Sequence, residues 1–208
     1  MAASSPLARD AYEIHSPRLI VRTAIKLDAE SMREFITNPD NNPHTPTESN
    51  VTIESMQTRI EKWQESTAKG IRAFQVIILR STGELIGYGG YNCFDLMEEP
   101  SENAAPRYLT DIGTAIAKSH WRKGYGLEAL CALTEYAFAE LGIARVRIET
   151  NLSNEPWRRL MHAVGLAQFE SQQKVTFGEK PMGYTWHFDA ANWQAVKEDM
   201  QRRDKWPL

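Results

Sequence analysis

Apolar and polar positions alternate along this chain in two rhythms. A step of two marks half-buried strands, and a step of three or four marks amphipathic helices. The stretch "RLIVRTA" at 18–24 has the first rhythm. Met32, Phe35 and Ile36 then cluster as one helical face, before "NPDNNPHTPT" breaks the pattern with proline and asparagine. Ile53, Met56, Ile60, Trp63 and Thr67 resume the helical step, and Gly70 ends it. Next, "FQVIIL" (74–79), the turn "RSTGE" and "LIGYGGYNCF" (85–94) predict a hairpin, with a further strand near "YLTDIGTAIA". Four strands are thus expected before residue 121. Beyond it, Leu127, Leu130, Cys131, Thr134, Phe138 and Leu141 make one helical face closed by Gly142, and "RVRIET" (145–150) is a strand. "NEPWRRLMHAVGL" is a short helix with Pro156 in its first turn and Gly165 at its end, where each residue is preferred. Strands around 168–176 and 182–189, then a helix carrying Trp193, Val196 and Met200, complete an α/β chain without internal repeats.

Composition narrows what such a chain does. With 208 residues, 42% of them hydrophobic, it fits a single domain (15–208) with its own core, preceded by a flexible leader (1–14). A net charge of -3 with no basic block argues against nucleic acid as a partner. No run of about 18 apolar residues is present, so no membrane span is expected. Cys93 and Cys131 stand far apart, with neither a disulfide framework nor a zinc spacing, which suits a reducing, cytoplasmic home and no metal.

The chemistry gathers at "WRKGYGLEAL" (121–130), where Gly124, Gly126, Arg122 and Lys123 open a helix. The first helical turn leaves its N–H groups unpaired and carries about half a positive charge, so it is an anion site, and glycine lets a ligand approach the backbone. As text, Gly124, Gly126 and Ala129 match the dinucleotide fingerprint G-x-G-x-x-A, with Glu149 about 20 residues beyond. A dinucleotide turn follows its strand directly, however, whereas "KSHWRK" intervenes here. A P-loop would need a Gly-Lys-Ser/Thr that is missing.

The segment instead resembles the pyrophosphate arm of the GNAT acyl-CoA-dependent N-acyltransferases, (Gln/Arg)-x-x-Gly-x-(Gly/Ala), with Trp121 at its first position as in the RimJ/RimL-type branch. "SPRLIVRTAIKLDAESM" is similar to that branch's opening strand and helix, and "NEPWRRLMHAVGL" to its Asn-x-x-Ser…Gly-Phe segment. The resemblance implies a mixed, bent central sheet flanked by helices, with acetyl-CoA as cosubstrate. It would be bound by the backbone from Arg122 through Lys123, Gly124, Tyr125 and Gly126 to Leu127, by the splayed strand at Thr114, Ala115 and Ile116, and by Asn154. Asn154 also has the position of a simple N-cap. The implied activity is direct acetyl transfer to a primary amine, a small molecule or a peptide N-terminus, in a ternary complex with a monomer or homodimer. The alternative is a non-catalytic acyl-CoA-binding module of the same fold.

An amine must lose its proton before it attacks, since an α-amino group titrates near 8 and a lysine near 10.4. Glu149 at a strand end matches the base glutamate of some ribosomal-protein N-acetyltransferases, and Asp111 in "TDIG" is the second carboxylate candidate; ordered water is the third route. Relatives protonate the departing thiolate with Ser or Tyr on the helix after Asn154, where this chain has Trp157 and Met161. Tyr184, Tyr136, Ser153 and His162 remain as donors, with His162 also suited to a helix surface. Cys93 and Cys131 look like core residues rather than nucleophiles. By the same resemblance the loops "NPDNNPHTPTESN" and "FGEKPMG" frame the acceptor, with His44, Trp63 and Tyr184 as wall candidates, and "LMEEPSEN" is an acidic loop that would suit a cationic amine or a solvated turn.

Overall fold

The computed structural model describes residues 5–41, 43–44, 47–98, 104–178 and 182–208. Eight strands form one sheet in the order β1-β2-β3-β4-β5-β6-β8-β7. They are β1 (Glu13–His15), β2 (Leu19–Thr23), β3 (Ala73–Leu79), β4 (Leu85–Leu96), β5 (Tyr108–Ile116), β6 (Arg145–Asn151), β7 (Glu170–Lys174) and β8 (Met182–Phe188). Every neighbouring pair is antiparallel except β5 and β6, which are parallel. A parallel pair needs a crossover, and α3 (Tyr125–Ala139) supplies it.

The sheet is covered on both faces, which explains why "FQVIIL" is almost continuously apolar instead of alternating. Val76 and Ile78 pack with Met32 and Phe35 of α1 (Ala29–Thr37) and with Met56 and Ile60 of α2 (Ile53–Ala68). Ile77 and Leu79 turn the other way, into a larger core with α3, α4 (Glu155–Val164) and α5 (Ala190–Arg202). The helix ends follow the sequence signals. Thr52 accepts from the Ser55 N–H at 3.1 Å, Asp189 from the Asn192 N–H at 2.9 Å, and Gly165 closes α4 at a φ of 106°.

Two expectations are corrected. The stretch expected as a flexible leader is packed over much of its length: Leu7, Tyr12 and Ile14 are buried in the larger core, and the Tyr12 hydroxyl donates to the Leu7 carbonyl at 2.7 Å. Five strands rather than four precede the glycines, because β1 pairs with β2. Three residues are too few for a period to show, so pairing with a neighbour decides the strand. Residues 1–4 lie outside the described residues.

One buried carboxylate ties this first hairpin to α3. Glu128, with a fully buried side chain in the first turn of α3, accepts from the Ser16 hydroxyl (2.7 Å), the Arg18 N–H (2.7 Å) and Arg18 Nε (2.5 Å). Its position also places a negative charge at the positive end of the helix. Glu128→Ala is expected to lower the thermal midpoint by about 2–12 °C, since orphaned buried donors cost about 1–3 kcal/mol and each kcal/mol moves a domain of this size by about 2–4 °C. A scan that leaves the midpoint unchanged would show that the hairpin docks without this carboxylate.

Candidate active site

The site begins where the parallel ladder stops. β5 and β6 pair only at Leu109 with Arg145, Thr110 with Val146, and Asp111 with Arg147, although β5 continues to Ile116 and β6 to Asn151. The two strands therefore fork. The Ala144 N–H donates to the Tyr108 carbonyl (2.8 Å) on one side of β5, and the Ala117 N–H donates to the Ile86 carbonyl (2.7 Å) on the other. Because successive residues turn their backbone groups to opposite sides, this parity directs those of Ile112, Thr114 and Ile116 toward the fork. A cleft of about 820 Å³ opens there.

The glycine loop forms one end of the cleft. Gly124 precedes α3 with φ 82°, and Arg122 also has a positive φ, 59°. A left-handed arginine is strained, and here the loop is held from two sides. The Trp121 indole donates to the Ile116 carbonyl at 2.5 Å, and Arg18 Nη1 donates to the Lys123 carbonyl at 2.8 Å. A Cβ on Gly126 would meet only Ile116 Cγ1, at 3.8 Å, so the surrounding protein does not require glycine there, and the room lies in the cleft. The Thr114 hydroxyl is buried with no hydrogen-bond partner among the described residues. An open strand edge, an orphaned hydroxyl and a helix N-terminus beside bare glycine suit an extended ligand whose amide-bearing arm leads to phosphates, as the arm of acetyl-CoA leads to its pyrophosphate.

Of the residues expected to bind it, Thr114, Ala115, Ile116, Arg122, Gly124, Tyr125, Gly126, Leu127 and Asn154 line the cleft. Lys123 does not; its backbone carbonyl is used by Arg18. Asn154 caps α4, accepting from the Trp157 N–H (3.3 Å), and at the cleft wall its amide donates to the Thr150 hydroxyl (2.9 Å).

The two carboxylates differ. Glu149 lines the cleft with its side chain only 3% exposed; Oε2 accepts from the Thr176 N–H (2.9 Å) and hydroxyl (2.7 Å), and Oε1 faces Arg147 Nε at 3.4 Å. Asp111 is not among the described lining residues. It sits at the base of the fork, accepting from the Asn92 amide (2.5 Å) and from Arg147 Nε (3.1 Å). Burial pushes the Asp111 carboxyl above its ordinary range, and Asn92 and Arg147 pull it back toward the charged form.

None of the four donors considered for the thiolate lines the cleft. Tyr184 lies under the Arg158 guanidinium (4.4 Å), His162 is paired with Glu170 (2.5 Å), Ser153 is exposed, and Tyr136 stands edge-on to Tyr12. Met161 is fully buried, and Trp157 lines the cleft. Burial pushes the Cys93 thiol up to about 12 and the Cys131 thiol higher still, so neither is a ready nucleophile.

On the acceptor side, His44 lines the cleft as expected, while Trp63 and Tyr184 do not. The loop after α1 is fastened across the mouth: the Asn151 amide donates to the His44 carbonyl (3.1 Å), and the Lys118 N–H donates to the Asn41 side chain (2.9 Å). Parts of the three loops assigned to the acceptor side (residues 42, 45–46, 99–103 and 179–181) lie outside the described residues. Sequence reasoning missed Phe74, Tyr88 and Asn92, which line the cleft, and Arg147, which bonds Asp111 at the base of the fork. The alternation Arg145, Arg147, Glu149 on one strand was the available signal for Arg147.

A family model described as an acetyltransferase (GNAT) domain matches residues 18–167. The uncharacterized N-acetyltransferase YoaA of Bacillus subtilis is 29% identical over 156 residues, spanning 73% of this chain and 81% of YoaA. Mycobacterium smegmatis RimJ, solved in complex with CoA-disulfide, shares the fold with a TM-score of 0.72 at 15% identity, over 94% of each chain. RimL, a ribosomal L7/L12 alpha-N-protein acetyltransferase solved with coenzyme A, aligns with a TM-score of 0.68 at 14% identity, over 86% of this chain and 98% of its own.

The two glycines are expected to respond differently to alanine. Gly124→Ala places a Cβ at a left-handed position and should cost about 1 kcal/mol or more, whereas Gly126→Ala should be neutral or stabilising by about 0.5–1 kcal/mol. Denaturant unfolding of both variants measures this; equal destabilisation would mean that Gly126 serves the fold and not the cleft.

Proposed function

The chain belongs to the GNAT acetyltransferase family, and from that premise we propose that it moves acetyl from acetyl-CoA directly onto a primary amine while both occupy the fork between β5 and β6. One observation carries this: the open edge of β5, the glycine loop and Glu149 all line a single cleft. The family uses acetyl-CoA and acts on amine acceptors. Bound here, acetyl-CoA supplies the thioester that is cleaved.

The chain's own residues then have distinct tasks. Backbone N–H groups from Arg122 to Leu127 and the α3 dipole bind phosphate oxygens. The outward backbone groups of Thr114 hold the arm as a strand neighbour would, and the N–H of Ile116 stabilises the carbonyl oxygen as it gains charge. Glu149 takes the amine proton at Oε1, the oxygen not occupied by Thr176. Asp111 acts at one remove, by holding Arg147 against Glu149. The high thiol pKa values of both cysteines support direct transfer over an acyl-cysteine step.

Calorimetry with acetyl-CoA tests the binding half. The wild type should bind in the micromolar range and a folded Gly126→Trp variant should not; a folded wild type that ignores acetyl-CoA would overturn the proposal. For the chemical half, Glu149→Gln should lower kcat by about 100-fold or more, the usual scale for a lost general base, with acetyl-CoA affinity unchanged. Full activity in that variant, measured by CoA thiol release, would move proton removal from Glu149 to water.

A further inference from the structure

We propose that the acceptor carries its primary amine a few bonds from a planar apolar ring, and that Phe74 and Tyr88 select it. This deepens the transfer proposal above and rests on it.

Both side chains line the cleft on the β3–β4 side of the fork, across β5 from Glu149 on β6. They stack on one another with centroids 5.1 Å apart and planes 23° apart. Trp63 stacks on Phe74 at 3.7 Å, and Phe35 stands edge-on to Tyr88 at 5.2 Å. Both faces of Phe74 are thus covered and the wall is immobilised by its own packing, so a ring docked against its rim, edge to face, orders few side chains. Between wall and fork the lining carries only small side chains on β5, at Gly113 and Ala115, with the Asn92 amide beside Gly113. Neighbouring strands are about 4.8 Å apart, so one to two strand spacings separate β4 from the fork, about 5–10 Å. That span matches the reach from a ring to an amine on a short alkyl chain.

Charge points the same way. Among the described residues lining the cleft, Glu149 is the one carboxylate, and it already faces Arg147 and holds Thr176. A second ammonium would find no counter-charge there, and Arg122 would repel it. One amine and one ring fit; several cations do not.

A free arylalkylamine and a peptide with an aromatic first residue share this chemistry. The test therefore compares kcat/KM by thiol release for phenethylamine, a peptide beginning with Phe, a peptide beginning with Ser, hexylamine and spermidine, with acetyl-CoA binding measured separately. A ring-bearing acceptor should lead the ring-free ones by about 10-fold, and Phe74→Leu should lower its kcat/KM by about 3–10-fold, the scale of one aromatic contact, and by more than it lowers that of hexylamine. The faster of the two ring-bearing acceptors identifies the source. Should Phe74→Leu misfold by circular dichroism, the wild-type ranking alone decides. Spermidine, hexylamine or the Ser peptide matching the ring-bearing acceptors would overturn this assignment and leave the transfer proposal standing. Acetyl-CoA binding with no amine consumed would sink both.

Discussion

The parallel pairing of β5 with β6 ends after three residue pairs, and the charged rung that ends it, Asp111 against Arg147, is the constraint on which the rest of the site depends. Next to it β4 carries a register shift between Tyr91 and Phe94, and Asn92, within that irregularity, donates to Asp111. A bulge bends a strand and increases its twist, so β5 is turned away from β6 at the point where the ladder stops. Gly113 takes part sterically, since a Cβ there would come within 3.1 Å of the Asn92 amide. Arg147 then joins the base of the fork to its lip by facing both Asp111 and Glu149. The cost of forking is a strand edge with unpaired backbone groups, a cost that a ligand running alongside β5 would offset.

A fork is useful only if the loop at its end is fixed. The strained Arg122 lies between two anchors, Trp121 bonded back to β5 and Lys123 bonded to Arg18, and left-handed Gly124 follows the second directly. Arg18 is itself oriented by buried Glu128, and its guanidinium lies 4.6 Å from the Tyr125 ring. The first hairpin therefore does more than extend the sheet. It braces the anion-binding end of α3, which explains why a segment so far from the glycines in sequence belongs to the same site.

Periodicity made most elements legible, because burial against a face of the sheet imposes the apolar rhythm directly. It failed on residues 5–14, where single anchors such as Leu7 and Tyr12 sit among polar neighbours and make no pattern. The glycine end of the cleft was readable because it is built from consecutive backbone, and consecutive backbone leaves a local motif of glycines. The acceptor wall was not. Phe74 belongs to an apolar strand run and Tyr88 to a glycine-rich one, and neither stretch distinguishes a ring facing a cleft from one facing a core. The Arg18–Glu128 and Asp111–Arg147 pairs were hidden for a related reason: each joins distant positions whose residue types are ordinary.

The α4 side shows where this chain departs from the pattern it otherwise follows. Met161 is spent on the core and Trp157 on the cleft wall, and the remaining hydroxyls and imidazole of that region are exposed or tied elsewhere. The chemistry tolerates this asymmetry. A departing thiolate has a pKa near 8.5, so at neutral pH water can return its proton after it leaves, whereas an ammonium with a pKa of 8 to 10 cannot attack until its proton is gone. Proton removal is therefore the step for which a fixed side chain matters more. In the proposed transfer the buried network built around Arg147 serves that step, while the α4 side of the cleft presents the Trp157 ring.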